Sequence, residues 1–418
     1  MRSMPERLGL PALLIASTVS SAGTRISQIA VPWLVLETTH SPVLTGLVGT
    51  AEIAPYVVLQ LLGAPLVDRL GARRIAIVGD AVAAAAMGMI PVLHLLGSLT
   101  VPLVLALVFV AGCARGPADA AGQVLVPRAA SGSRLSIDRA AGLVDGAERL
   151  ASILGAALAG VLIGLLGAAP VITIDAVSFL AAAALLTLVP SPAPDPAAVA
   201  GPRAYIRDLA EGLRFAFRHP LTRSIALMVL VTNAVDAAVS GLLLLVWARS
   251  TGVGSAGLGT VAALFGAGAV CGAALLTAFA PRLPRRRTFA FAFLVAGAPR
   301  LLALALPIPF TAVLAVWAVA GLAAGAINPV LSAAQYDTIP PRLLARALAA
   351  VNAIAWAGIP FGALLAGIGT DLAGLTPTLL VLAGIYAIAT IDPFIRRSWR
   401  AMDRKARLPD RDPAPVDL

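Results

Sequence analysis

Charged residues are scarce in this sequence: Asp, Glu, Lys and Arg make up 12% of its 418 residues. Soluble domains carry about 25%, so this chain has too little charge to cover a soluble globule of its size. Cysteine is scarce as well, and two cysteines cannot form a secreted disulfide scaffold. These shortages exclude the common classes of soluble protein.

Catalytic and cofactor-binding motifs are also missing. The three histidines stand apart from other metal-ligating residues, and no phosphate loop, zinc-ligand spacing or nucleophile elbow is present. This pattern argues against an ATP-driven pump and against an enzyme. The sequence predicts no catalytic residue, no metal and no cofactor.

Apolar residues are in excess instead, at 59% of the chain with a mean hydropathy of +0.92. A helix needs about 20 apolar residues to cross a bilayer, and the apolar stretches here are longer than the alternating segments of about ten residues in a membrane barrel. We predict an all-α membrane protein with twelve transmembrane helices in two six-helix, pseudo-symmetric bundles. The predicted helices begin near Leu8, Pro42, Arg74, Val101, Ala141, Ala169, Arg223, Ala256, Thr288, Phe310, Arg346 and Thr376.

The basic residues indicate the orientation of these helices. Most of the 31 Lys and Arg residues lie in connections on one side of the predicted membrane, whereas Arg249 is alone on the other side. Cytoplasmic loops carry such an excess, so we predict a multi-pass protein of the cell membrane with both termini in the cytoplasm. The net charge of +10 comes from short clusters between apolar stretches, which argues against binding to nucleic acid.

The chain divides into four predicted segments. A proline-rich linker after the sixth helix leads into a stretch whose apolar residues recur at helical spacing, with arginines on the opposite face. This amphipathic helix either lies on the inner membrane surface or forms a solvated linker. The segments are residues 1–190 (first bundle), 191–221 (linker), 222–395 (second bundle) and 396–418, a basic tail expected to rest on anionic lipid headgroups.

Polar residues within the apolar stretches form a pattern. An ionic side chain in mid-membrane costs at least about 2.5–3.5 kcal/mol, so each one needs a partner, a wet cavity or a function. They concentrate in predicted helices one, four, seven and ten, as four internal repeats around one aqueous cavity would produce. We predict a pathway for a small-molecule substrate and protons, formed by Arg25, Gln28, Glu52, Arg115, Asp119, Asn233, Asp236, Asn328 and Gln335.

Several of these groups have a simpler explanation. Arg115 and Asp119 are four residues apart and can neutralise each other, and Glu52 can be a buried partner of Arg25. The alternative is that a buried carboxyl exchanges a proton as the cavity changes sides. Asp236 has no basic residue near it in sequence and is the acid least explained by pairing, whereas Arg300 is left without an explanation.

The connection between predicted helices two and three carries the sharpest motif, residues 66–74, which reads Leu-Val-Asp-Arg-Leu-Gly-Ala-Arg-Arg. It resembles the signature of the major facilitator superfamily in this loop, Gly-x-Leu-Ala-Asp-Arg-x-Gly-Arg-Arg/Lys. The resemblance implies a conformational latch at the cytoplasmic side, in which Asp68 holds the two halves together against the start of helix eleven, near Arg342 to Arg346. The latch residues are Asp68, Arg69, Gly71 and Arg73.

Two further segments narrow the resemblance. Residues 208–220 and 339–346, the latter followed by Pro360-Phe-Gly362, are similar to the superfamily branch of macrolide and enterobactin exporters. The resemblance implies a drug:proton antiporter, monomeric, that works by alternating access. A facilitator or importer, a lipid flippase and a non-transporting membrane sensor remain as alternatives.

Overall fold

The computed structural model describes residues 4–131, 137–190, 202–279, 283–340 and 343–403, and no strand occurs within these ranges. Seven helices form the N-terminal half of the chain, which the linker separates from the rest. They are α1 (Met4–Thr39), α2 (Pro42–Leu62), α3 (Ala64–Leu70), α4 (Ala72–Leu95), α5 (Val101–Ser131), α6 (Ile137–Leu166) and α7 (Ala168–Leu186).

The C-terminal half is more broken, with short helices stacked end to end. It follows α8 (Pro202–Arg218) and ends in a 3₁₀ helix, Arg397–Asp403. Its helices are α9 (Pro220–Ala238), a π-helical turn (Val239–Leu243), α10 (Leu244–Ser250), α11 (Gly254–Phe279), α12 (Arg285–Ala296), α13 (Ala298–Ala305), α14 (Phe310–Gly325), α15 (Ile327–Thr338), α16 (Leu344–Trp356), α17 (Ile359–Ala373) and α18 (Leu375–Ile395).

Within the described ranges, eleven helical stretches are long and apolar enough to cross a membrane. They begin within a few residues of the predicted starts of helices two to twelve, which confirms the all-helical membrane class. The 36-residue α1 is about 54 Å long, but its many polar side chains place it outside that set of eleven.

Local sequence explains the turns between these helices. Ser41 caps α2 by accepting a hydrogen bond from the backbone N–H of Leu44, and Pro42 follows at the first helical position, where a proline ring is compatible with the helix. Gly71 separates α3 from α4 with φ 86°, a value that favours glycine because it has no Cβ. The chain therefore reverses direction in one or two residues and the neighbouring spans are antiparallel.

Among the described residues, the closest helix contacts between the two halves lie toward one side of the molecule. We call the side that carries residues 4 and 403 the terminal face, and the other side the opposite face. Toward the opposite face Thr50 of α2 donates a hydrogen bond to the carbonyl of Pro360 (2.6 Å). There α6 also crosses α11 at Gly160 and Gly259. The halves are thus closed against each other at the opposite face.

The amphipathic helix α8 packs against the C-terminal half. Leu209 and Leu213 pack with buried residues of α9 and α16, among them Ala350 and Val351. An ion pair between Glu211 and Arg346 (2.5 Å) joins α8 to the start of α16. Protein therefore covers Leu209 and Leu213, a contact that neither predicted alternative includes, and the position of α8 relative to a membrane surface stays a prediction.

The beginning of the tail packs against the C-terminal half, while its arginines stay exposed and their contact with lipid headgroups stays a prediction. Residues 397–403 form the 3₁₀ helix, and Trp399 within it is fully buried. Its indole nitrogen donates to Asp392 (2.8 Å) and its ring packs 5.6 Å from that of Phe289. This part of the tail is anchored in the C-terminal half, while residues 404–418, where the other expected lipid contacts fall, lie outside the described residues.

The crossing of α6 and α11 provides a test of the packing between the halves. A Cβ on Gly160 would lie 2.8 Å from Cα of Gly259, so we expect Gly160→Val to destabilise the protein by about 1–3 kcal/mol, the usual cost of overpacking. The thermal unfolding midpoint of the purified protein in detergent measures this. Gly142→Val in the same helix is the matched control, because a Cβ there has no neighbour within 4 Å. Equal midpoints for the two variants would contradict the tight crossing.

Candidate functional site

A cavity of about 420 Å³ lies inside the N-terminal half. It extends from the middle of α5 toward the terminal face, where Pro127 and Ala141 line it. Its wall combines polar and apolar residues, and all of them come from α1, α2, α4, α5, α6 and α7. The polar ones are Ser17, Ser20, Ser21, Tyr56, Gln60, Asp80, Arg115, Asp119, Gln123, Asp145 and Glu148.

Arg115 is the centre of the polar wall. Its guanidinium pairs with Asp80 of α4 and with Asp119 one turn along α5 (2.7 Å). It also donates to Ser20 Oγ of α1 (2.9 Å) and lies 4.7 Å from the ring centroid of Phe179 in α7. One arginine therefore joins four helices through two carboxylates, a hydroxyl and a cation–π contact.

A second carboxylate contact extends this network to α2. The Tyr56 hydroxyl donates to Asp119 Oδ2 (3.0 Å), so Asp119 is held by two partners. We call Ser20, Tyr56, Asp80, Arg115, Asp119 and Phe179 the Arg115 network. The predicted neutralisation of Arg115 by Asp119 is confirmed as an ion pair, although Asp80 shares the same guanidinium.

Small residues bring the helices of the network close enough for these contacts. A Cβ on Gly79 of α4 would lie 2.6 Å from Cβ of Ala118 in α5. Likewise, a Cβ on Gly116 of α5 would lie 2.5 Å from the Tyr56 carbonyl in α2. Glycine at such crossings lets helix backbones approach, and it places Tyr56 and Asp80 beside Arg115.

The C-terminal half has its own ion pair, between Asp236 of α9 and Arg300 of α13. The prediction that Asp236 is the acid least explained by pairing is wrong, since a cation 64 residues away in sequence reaches it. Arg300, which the sequence left without an explanation, is therefore the partner of Asp236. Its side chain is 7% exposed, against 41% for Asp236, so the carboxylate is the accessible end of the pair.

Aromatic rings surround the buried arginine. The Arg300 guanidinium lies 5.5 Å from the ring centroid of Phe265, 5.6 Å from Trp317 and 6.0 Å from Tyr386. Cation–π attraction compensates part of the lost hydration of a buried guanidinium. The π-helical turn Val239–Leu243 follows Asp236 closely, and such turns frequently accompany functional sites.

The other predicted pathway residues do not line the cavity. Arg25 donates to Gln28 Oε1 (2.7 Å), and Glu52 interacts electrostatically with both Arg25 and Arg115. Asn233 donates to the carbonyl of Ala355 (2.9 Å), which ties α9 to the end of α16. A shared pathway that includes these residues stays a prediction.

Two predicted residues lie on α15: Asn328 is exposed and Gln335 is half-buried. Their part in the pathway stays a prediction as well.

The predicted latch is only partly described. Arg69 is exposed at the end of α3, and Arg73 donates to the carbonyl of Val189 (3.1 Å), which joins α4 to the end of α7. The side chain of Asp68 and residue Arg342 lie outside the described residues. The role of this loop as a latch therefore stays a prediction.

Sequence reasoning left four members of the Arg115 network out of the predicted pathway: Ser20, Tyr56, Asp80 and Phe179. Asp80 carried a usable signal, because an acid in the third span needs a partner and Arg115 is a buried cation in the adjacent span. Tyr56 and Phe179 carried none, since an aromatic residue on an apolar helix is common in any core.

The comparisons with known proteins agree with this fold. Residues 10–416 match the family described as transmembrane secretion effector, and the chain belongs to this family of the major facilitator superfamily. It is a membrane transporter and not an enzyme. The resemblance stated from the sequence is thereby confirmed.

Relatives of known name are similar over most of the chain. The multidrug efflux pump Tap of Mycobacterium tuberculosis is 31% identical over 375 residues, which cover 89% of both chains. Tap of Mycolicibacterium fortuitum is 28% identical over 377 residues, which cover 89% of this chain and 91% of that one. Both relatives are thus similar along nearly their whole length.

Solved structures share the fold at low sequence identity. The nucleoside transporter NupG superposes with a TM-score of 0.74 at 13% identity, covering 93% of this chain and 99% of that one. A bacterial homolog of the human lysosomal transporter Spinster, inward-facing and unoccupied, gives a TM-score of 0.73 at 15% identity, covering 97% and 100%. At these identities the likeness concerns the fold.

The Arg115 network predicts that arginine cannot be replaced by lysine. Arg115→Lys keeps the charge but not the planar fork that binds two carboxylates and a hydroxyl and packs on Phe179. We expect this variant to reach the membrane and to lose transport, measured as compound resistance on overexpression. Arg149→Lys is the control, because Arg149 forms an exposed pair with Asp145. Wild-type transport by Arg115→Lys would contradict the proposed importance of the network.

The buried pair in the other half predicts a stability pattern. Asp236→Leu leaves the Arg300 charge buried without its carboxylate, so we expect a loss on the order of 3 kcal/mol. The double variant Asp236→Leu/Arg300→Met removes both charges and should recover most of that loss. Thermal unfolding of both variants in detergent measures the difference. A double variant less stable than Asp236→Leu would contradict the pairing.

Proposed function

We propose that the chain is a proton-coupled exporter of small organic molecules that works by alternating access. The observation that carries this proposal is the asymmetry of the structure: the halves are closed at the opposite face, while a polar cavity extends from Arg115 toward the terminal face. This arrangement corresponds to one of the two states that alternating access requires.

Contacts near the opposite face support a reversible closure. Arg249 Nη2 at the end of α10 lies 3.3 Å from Nε2 of His40, which connects α1 to α2. Thr50 of α2 and Gly160 of α6 lie in two longer crossings between the halves, of α2 with α17 and of α6 with α11. Small residues form the closest points of both crossings, which would let the helices separate when the halves rock.

The proposal includes the topology. The 36-residue α1 would be the twelfth span beside the eleven apolar ones, giving two six-helix bundles. The excess of Arg at the terminal face supports a cytoplasmic location for both termini in the cell membrane, so the cavity faces the cytoplasm in this state. The transporter is monomeric, and its basic inner surface contacts anionic headgroups.

An excess of acid supports the coupling to protons. Around the middle of the N-terminal half, two arginines, Arg25 and Arg115, act on four carboxyls: Glu52, Asp80, Asp119 and Asp175. In a low-dielectric interior, uncompensated negative charges are costly. Binding of a proton removes that cost, and its release on the other side drives transport.

The substrate is proposed to be a drug-like organic molecule. Relatives carrying the name multidrug efflux pump cover most of the chain, and a volume of about 420 Å³ suits a small ligand. The wall offers hydroxyls, amides and carboxylates beside apolar residues such as Leu13 and Val126.

Inverted membrane vesicles with an imposed pH gradient test the coupling and the direction. The probe is the compound to which overexpression of the chain gives the greatest resistance in a panel screen. We expect the gradient to drive accumulation of this compound in the vesicles. Three variants are compared with the wild type: Asp119→Asn, Glu52→Gln and Asp236→Asn. At least one of these variants should abolish the accumulation that depends on the gradient.

The outcomes separate the proposal from its alternatives. Transport that stays gradient-dependent in all three variants would refute coupling through these acids. Movement in the opposite direction would indicate an importer, and equilibration without accumulation would indicate a facilitator. Arg149→Lys serves as a surface control, because its ion pair with Asp145 is exposed.

A further inference from the structure

Asp175 of α7 is the most deeply buried acid among the described residues of the N-terminal half, at 1% exposure. Its Oδ2 has no hydrogen-bond partner in the part of the chain that the structure describes, and neither has the hydroxyl of Ser27 in α1. Ser27 is also 1% exposed, and the two groups interact across the contact between α1 and α7. Ser27 and Asp175 are thus neighbours across α1 and α7, and neither Ser27 Oγ nor Asp175 Oδ2 has a hydrogen bond of ordinary geometry among the described residues.

The packing around Asp175 is closed. Gly23 of α1 lies opposite, and a Cβ on it would come 2.5 Å from Asp175 Oδ1. Ser178 lies beside the same oxygen: its hydroxyl donates to the Asp175 carbonyl (2.8 Å) and lies 3.3 Å from Oδ1, and a Cβ on Gly23 would come 2.0 Å from that hydroxyl oxygen. Gly23 and Ser178 therefore crowd Oδ1, which leaves little room there for the coordination shell of a metal cation.

The charged groups around Asp175 do not neutralise it. Arg115 acts on it from α5, but that guanidinium is already shared by Asp80 and Asp119. Asp80 on α4 and Glu52 on α2 add negative charge toward Asp175. Arg25, the described cation in the same part of α1, donates to Gln28 instead.

The helix α6, which also packs against α7, has its charged residues elsewhere. Those that the structure describes are Arg139, Asp145, Glu148 and Arg149, all in its first half toward the terminal face. An ionised Asp175 would thus be a buried charge without an ion pair, which is strongly unfavourable.

We infer that Asp175 is a proton-binding site of this transporter, with its carboxyl protonated in the present state and the O–H donated to Ser27 Oγ. The assignment satisfies both unpaired oxygens with one proton. It rests on the proposed proton coupling and adds Asp175 to the acids Asp119, Glu52 and Asp236 that the vesicle measurement tests. Release converts the neutral carboxyl to a carboxylate and one free proton.

Glu52 gives this site a way to respond to its surroundings. It is half-buried and interacts electrostatically with Asp175. Because two like charges in a low dielectric repel strongly, ionisation of either carboxyl favours protonation of the other. A change in the exposure of Glu52 between the two states of the transporter therefore changes the proton affinity of Asp175.

Infrared spectroscopy of the full-length purified protein tests the assignment directly, because a protonated carboxyl has a C=O stretching band that a carboxylate lacks. At neutral pH we expect such a band in the wild type and its loss in Asp175→Asn. Asp145→Asn is the matched control and should keep the band, since Asp145 is exposed and paired. A band that persists unchanged in folded Asp175→Asn overturns the assignment.

A second variant keeps the test decisive if Asp175→Asn fails to fold. Ser27→Ala removes the acceptor of the carboxyl O–H but retains the acid, so the same band should remain and shift in frequency. An unshifted band would overturn the hydrogen bond on which the assignment depends. Both variants are checked for folding by thermal unfolding.

A transport measurement separates this inference from the proposed function. Asp175→Asn should lose accumulation driven by a pH gradient but keep exchange of labelled for unlabelled compound across the vesicle membrane. Loss of both, or retention of both, overturns a role in coupling. If the wild type shows no dependence on the pH gradient, or depends on Na⁺ instead, the proposed function fails, while the infrared result still decides whether Asp175 holds a proton.

Discussion

The pairing of buried arginines with carboxylates is the constraint on which the site in each half depends. A guanidinium cannot remain charged in an apolar interior unless carboxylates, hydroxyls or aromatic faces replace its water. Arg115 meets this requirement with Asp80, Asp119, Ser20 and Phe179. The same requirement places Asp236 and three aromatic rings around Arg300.

These ion pairs can form only because the helices that carry them approach one another closely. The side chains of Asp80 and Tyr56 reach the Arg115 network because Gly79 and Gly116 bring α4 and α2 against α5. Glycine also allows close packing between the halves, where Gly160 contacts Gly259. Small residues therefore serve both the site and the closure at the opposite face, which links the polar centre to the motion proposed for transport.

The sequence predicted that buried ionic residues form the site, but it missed several of the residues that contact them. Arg115 and Asp119 could be found from the sequence because ionic residues are rare in apolar spans and stand four apart on one helix. Asp236 was interpreted without a partner, since its cation, Arg300, is 64 residues away. The apolar face of α8 was visible as a pattern, but a pattern cannot tell whether lipid or α16 covers it.

The sequence by itself determined the membrane class, the approximate positions of eleven spans and the family, because hydropathy, helix length and loop motifs are local properties of the chain. Only the tertiary structure decided which charges neutralise one another, which side of the molecule is closed, and that Asp175 of α7 interacts with Ser27 of α1. Those outcomes depend on contacts between residues distant in sequence, and their energies arise from the dielectric environment that the packed helices create together.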